Sequence, residues 1–353
     1  MRQRHSMSAL RAIAVLLLAS LACNLMGAVA PAPAPVVQGQ PPAPAVTSNL
    51  PSAGGTPALQ PAVVPATVTH VVSPSTSVAS GTLVYDVVSQ DTAPDRRAPY
   101  GDSYDRNLLE RPFLQDMTYV PDLDVVTYAV SGDSDWWYVS VQLIGTDPNN
   151  QLGIDYGVEL DKDHDGFGDF VIWAHPPYTT SWDTAPVQIF ADNNHDTGGR
   201  SAEKSDAPIT TDGYETLVFD GVAGGTDPDV AWVRMNAGPQ AAVQFAFKKA
   251  WSGTVFMLGV LADAGLKDPK KLDYVDRFTS VDAGSPVRDN KNYPLKALFA
   301  VDNVCRSPFG FKPNGYEPQL CPTTAPPATK KPKPTSEPVL PPPPLPPPPP
   351  PIP

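Results

Sequence analysis

Apolar and polar residues alternate with a period of two through most of the middle of the chain. The clearest run is Trp136–Leu143, WWYVSVQL, which places Trp137, Val139, Val141 and Leu143 on one face and Trp136, Tyr138, Ser140 and Gln142 on the other. That period belongs to a strand with two different faces. Similar runs occupy 82–87, 125–130, 154–160, 170–174, 187–190, 216–219, 230–233, 243–247 and 255–260, with clusters of Asp, Gly, Pro and Asn between them. Two segments, 107–111 and 267–274, suit helix, but Pro112 and Pro269 confine each to a turn or two. Many short strands and few helices predict an all-β domain, an antiparallel two-sheet sandwich of jelly-roll-like type. No repeat recurs at the fixed period of a propeller or solenoid.

Composition sets the limits of that domain. The 45 prolines crowd the region before residue 79 and the region after residue 322. Residues 24–79 are mostly Ala, Pro, Val, Thr, Ser, Gly and Gln, without one Lys, Arg, Asp or Glu. Such a stretch lacks the patterned faces that build a core and is expected to be an extended linker. The end of the chain, PVLPPPPLPPPPPPIP, is polyproline II by composition. The expected organisation is an export segment at 1–22, a linker at 23–79, the β-sandwich at 80–322 and a Pro-rich tail at 323–353.

The first residues read as an address. A basic start with Arg2, Arg4 and Arg11 leads into the apolar run AIAVLLLASLA at 12–22, which has the length of a signal-peptide core and is short for a membrane span. Ser20-Leu21-Ala22-Cys23 then resembles the lipobox of bacterial lipoproteins, with Ser20 where Leu is commonest. The resemblance implies cleavage before Cys23, a lipid on Cys23, and a membrane-anchored protein outside the cytoplasm; with Cys23 incidental, the same segment reads as that of a plain secreted protein. The other two cysteines, Cys305 and Cys321, are expected to bridge in an oxidising compartment.

Charge narrows the partners. The net charge is −12, yet only Glu337 of the 37 acidic residues lies outside 80–322, against six of the 25 basic ones. An acidic domain repels phosphate backbones, so nucleic acid is excluded as an expected partner. Nearly all the acid is Asp, the residue of turns and of hard-cation sites.

One motif concentrates that Asp. Asp161-Lys-Asp163-His-Asp165-Gly-Phe-Gly-Asp169 has the spacing D-x-D-x-D-G-x-x-D between two apolar strand-like runs, YGVEL and FVIWA. Alternate carboxylates converge on one ion when the chain curls tightly, and Gly166 permits the curl. The expected ligands are Asp161, Asp163, Asp165 and Asp169 with the Phe167 carbonyl. An all-oxygen set of this charge suits calcium. The loop resembles the strand–loop–strand calcium loops of the FG-GAP repeats in integrin α-chains. A looser companion, Asp192-Asn-Asn194-His-Asp196, reads either as a second metal turn or as an Asx-rich turn between strands.

Catalytic motifs are not evident. The sequence has no Gly-x-Ser-x-Gly elbow, P-loop or dinucleotide fingerprint, and no His pair at zinc spacing. The expectation is therefore a binding or structural protein and not an enzyme, with a secreted hydrolase whose site no motif marks as an alternative. Trp136, Tyr138 and Trp173 fall on polar sheet faces where rings could stack on sugars. In this the domain broadly resembles calcium-bearing carbohydrate-binding modules, which would make envelope glycans its partners.

Overall fold

The structure is a computed structural model that describes residues 68–99, 110–198, 213–236, 238–276, 295, 298–314, 317 and 320–321. The chain divides into two units, 1–64 and 65–353, and every described residue belongs to the second. The export segment, Cys23 and the Pro-rich tail lie outside the described residues.

The sandwich consists of two antiparallel sheets. β1 (Thr82–Tyr85), β3 (Val125–Gly132), β4 (Trp136–Leu143), β10 (Ala242–Lys248) and β9 (Ala231–Asn236) form one, in the order β1-β3-β4-β10-β9. The other is ordered β2-β12-β11-β5-β6-β7-β8, from β2 (Glu110–Arg111), β12 (Val301–Phe309), β11 (Phe256–Asp263), β5 (Asp155–Asp161), β6 (Phe170–Ala174), β7 (Val187–Ala191) and β8 (Thr216–Asp220). Both β4 and β10 are followed by a strand of the opposite sheet. Because β4 pairs with β10 and β5 with β11, the two crossings run side by side, as in a folded-over ribbon of jelly-roll kind. A four-residue helix, α1 (Lys249–Ser252), and two short 3-10 helices, Ala93–Asp95 and Pro269–Asp276, complete the secondary structure among the described residues.

The alternation of the sequence becomes the core. Val139, Val141 and Leu143 of β4 meet Val158 and Leu160 of β5, Ile172 of β6, and Leu258 and Val260 of β11 in one apolar cluster between the sheets. Trp137 packs against its margin. Burial of this kind stabilises by about 25 cal/mol per Å² of apolar surface removed from water.

All ten expected strands occur, and two more were not expected. The expected helical turn at 107–111 is not seen: Glu110 and Arg111 are strand β2, paired with Val301 and Asp302, and 107–109 lie outside the described residues. β12 escaped notice because its buried positions include Asp302, Arg306 and Ser307, which hide the apolar period. The second helical segment is the 3-10 helix Pro269–Asp276. Pro269 starts it instead of limiting it, because a first-turn residue needs no amide donor.

The linker ends earlier than composition suggests. Residues 68–79 lie along the outer face of the five-stranded sheet, held chiefly by their main chain. The amides of Val71 and Val72 donate to Asp229 at 2.8 and 2.9 Å. Ser75 donates its amide to the Tyr138 hydroxyl at 3.0 Å and accepts from Trp182 Nε1 at 2.9 Å. Arg234 Nη1 donates to the Thr76 carbonyl at 3.1 Å. Two side chains join in: His70, whose Nδ1 lies 2.8 Å from Asp229, and Val78, which packs against Trp136, Tyr138 and Trp232. Burial would raise the Asp229 pKa, but the two amides and His70 outweigh it and hold the carboxyl below its ordinary value.

Candidate metal centre

The Asp161–Asp169 segment is the loop of the β5–β6 hairpin, closed at its base by the Asp169 amide donating to the Leu160 carbonyl at 2.8 Å. Gly166 takes φ +101° and His164 φ +65°, so the chain curls through the left-handed region as the spacing predicts. Asp161 is fully buried at the end of β5. It accepts the His164 amide on Oδ1 at 2.6 Å and the Gly166 amide on Oδ2 at 3.0 Å. Asp163 accepts the Asp165 amide at 3.2 Å, and Asp165 accepts the Phe167 amide at 2.9 Å.

Three of the four carboxylates converge. One oxygen from each of Asp161, Asp163 and Asp169 lies within 4.8 Å of the others, a separation one cation can bridge. Asp165 falls instead in a second group of the same tightness, with Asp163 and His195. Phe167 forms an isolated bridge with Gly198. Burial pushes the Asp161 carboxyl up to about 6, against the pull of Arg306 and the loop amides. Asp169 is raised for the same reason, with Asp163 and Asp165 adding repulsion. A divalent cation would relieve both costs. The donors that converge are all carboxylate oxygens, a set that fits a hard cation such as calcium.

The second Asp-rich turn follows β7 and abuts the first. Gly168 donates its amide to the Thr197 carbonyl at 2.9 Å, and Asp192 donates its own to the Asp169 carbonyl at 3.1 Å. Asp192 is buried, and its two oxygens accept the amides of Asn194, His195, Asp196 and Thr197 at 2.8–3.1 Å. Asn194 Nδ2 donates to Asp196 at 3.1 Å. Asp192 thus organises the turn, in the arrangement of an Asx-rich turn. What this turn adds to the first loop is His195.

Residues that no motif marked hold the loop from behind. Arg306 of β12 is almost wholly buried and reaches across β11 to β5. Its Nη2 and Nε donate to Glu159 Oε1 and Oε2 at 2.7 and 3.2 Å. Its Nη1 donates to Asp161 Oδ2 at 3.1 Å and to the Gly166 carbonyl at 2.8 Å. Burial would lower the Arg306 pKa; Glu159 and Asp161 outweigh it and keep the guanidinium charged. The crossing needs Gly259, which pairs with Glu159 in the β5–β11 ladder. A Cβ there would stand 3.1 Å from the Val304 carbonyl and 3.4 Å from Arg306 Cγ. The Tyr214 hydroxyl also donates to Glu159. The available sequence signal was Gly259 itself, a lone glycine in an apolar strand, which marks a close approach.

None of the three rings expected to stack on sugars faces solvent. Trp136 and Tyr138 are 3% and 4% exposed, because Val78, Trp182 and Trp232 cover them together with the 68–79 segment. Trp173 is 1% exposed and packs with Tyr214, Leu261, Leu272 and Leu298 on the outer face of the larger sheet. The polar residues beside them in sequence suggested a wet face, but segments distant in the chain cover both sites.

Cys305 and Cys321 form the expected disulfide, with Cα atoms 4.9 Å apart. The Cys321 amide donates to the Arg306 carbonyl at 2.8 Å, so the bridge and this bond fix the strand position from which Arg306 extends. No protein-family model, curated protein or solved structure matches the chain, so the likenesses to lipoprotein, FG-GAP and carbohydrate-binding sequences rest on its residues alone.

Proposed function

We propose that this is a cell-envelope protein of binding or structural kind: a calcium-stabilised β-sandwich that a lipid on Cys23 holds at the outer face of a bacterial membrane. Catalysis is no part of this reading. The observation that carries it is the convergence of Asp161, Asp163 and Asp169 in a tight β-hairpin loop. Folding forces these carboxylates together, and a divalent cation offsets their repulsion. Binding to the folded state alone stabilises by about 2.7 kcal/mol at a hundredfold excess over Kd. Chelation is therefore expected to lower the melting temperature of the full chain, and calcium to restore it better than magnesium, which gives up its water reluctantly. Asp163 is exposed and lies outside the core, so Asp163→Ala should remove the calcium-dependent part of the shift and leave the chelated protein at least as stable as the chelated wild type, because one of the repelling carboxylates is gone. A calcium shift of wild-type size in Asp163→Ala would refute the site.

The anchor is supported by the lipobox-like Ser20-Leu21-Ala22-Cys23. The disulfide takes the other two of the three cysteines and suits an exported protein. Several acyl chains make a lasting anchor where one binds only marginally. Expressed in a bacterium, the wild type should enter the detergent phase and incorporate labelled palmitate, and Cys23→Ala should do neither. Equal labelling of both would overturn the anchor. The charge-free residues that follow Cys23 would act as a spacer between lipid and domain.

A further inference from the structure

The loop's acidic residues repel one another, and the group that ties its start to its turn comes from a strand two places away in the sheet. Arg306 ties Asp161 Oδ2 and the Gly166 carbonyl to one nitrogen while Glu159 clamps the rest of the guanidinium. The two tied atoms lie at the start and at the turn of the loop, so a single rigid side chain fixes its span. We infer that Arg306 is the positioning residue that keeps the Asp161–Asp169 loop closed before any cation arrives, making it a preformed site instead of one that folds around its ion. The inference deepens the calcium reading and rests on it for the identity of the ion.

Two effects of Arg306 on a bound cation oppose each other. Its positive charge repels the ion, and its hydrogen bonds spare the ion the cost of ordering the loop. Arg306 and Asp161 are buried, so water screens little between them, but Glu159 pairs with the guanidinium through both its oxygens and offsets its charge toward the site. Ordering even two backbone residues of a freed loop costs more than a guanidinium offset in this way repels. Positioning therefore wins, and loss of Arg306 should weaken cation binding although it makes the site more negative. The fork matters as well as the charge, because a lysine ammonium cannot span Glu159, Asp161 and the Gly166 carbonyl in one plane.

The test uses the full chain and two variants. Arg306→Lys keeps the charge and loses the fork. Arg306→Met combined with Glu159→Gln removes the guanidinium together with the carboxylate it clamps, and leaves Asp161 with the His164 and Gly166 amides. Amide exchange of the 161–169 peptide is followed by mass spectrometry in EDTA and at saturating calcium, and calcium binding is measured by titration calorimetry. In EDTA the wild-type loop should be protected, and both variants should exchange at least about tenfold faster. Calcium should restore protection in the variants, with affinity reduced by about tenfold. Equal protection of wild type and both variants in EDTA would overturn the inference and leave the calcium site standing. Faster exchange in the variants, with no calcium uptake by any form, would uphold Arg306 as the loop's clasp and discard the ion. Restoration of wild-type protection by Arg306→Lys would show that charge alone suffices and would overturn the positioning role.

Discussion

Truncating Trp173 to alanine should destabilise the domain by about 3–5 kcal/mol, the cost of emptying a buried indole site. Trp173 stands on β6 opposite Gly157 of β5. A Cβ on Gly157 would come within 3.1 Å of the indole and equally close to Leu261, so the glycine leaves the space that the ring fills. Tyr214, Leu272 and Leu298 close over it. These come from three separate segments, and a smaller side chain would leave a cavity that none of them can fill by itself. Urea unfolding checks the claim through the midpoint. A shift worth less than about 1 kcal/mol would mean that the ring contributes little to packing, and would return it to the set of surface residues available for a ligand.

Opening the Cys305–Cys321 bridge should cost about 3 kcal/mol in the chain-entropy account, given its sequence separation of 16. The bridge also secures a polar junction in the core. The Tyr128 hydroxyl lies 3.1 Å from the Cys305 carbonyl and 3.0 Å from that of Leu258, close enough to donate to both. Besides the bridge, the segment at Leu320 and Cys321 is held by its isolated β-bridge to Arg306, the Cys321 amide hydrogen bond and the packing of Cys321 on the core. Dithiothreitol should lower the urea midpoint of the wild type by that amount, and Cys305→Ala with Cys321→Ala should unfold at the lowered midpoint with or without reductant. Identical midpoints for oxidised and reduced wild type would contradict this.

The strand pattern was legible because ten strands place one apolar face on a single shared core. The strands and faces that went unread share a physical cause. In β12, Asp302 is buried where it accepts the Val125 amide at 2.8 Å, and Arg306 where it meets Glu159 and Asp161. A polar residue satisfied by a distant partner breaks the local period without breaking the strand. The 68–79 segment is the converse case. Its grip is mostly main chain to side chain, from Asp229, Tyr138, Trp182 and Arg234, and nothing in its own charge-free sequence announces those partners.

The metal loop was half legible. Spacing located the hairpin, the curl at Gly166 and three converging carboxylates. It could not show that Asp165 groups with His195, since that depends on where the β7–β8 turn lies. Nor could it show the clasp, because Arg306 is 145 residues from Asp161 in the chain and meets it only after β12, β11 and β5 have paired.

The measurement that bears most directly on the calcium site is a count of bound ions. Full-length protein dialysed against calcium, freed of excess metal and analysed for metal content should carry one calcium per chain, whereas Asp163→Ala treated in the same way should carry none. Calcium-free wild type under those conditions, with no heat of binding on titration at millimolar calcium, would contradict the account and leave the loop as an acidic hairpin clasped by Arg306.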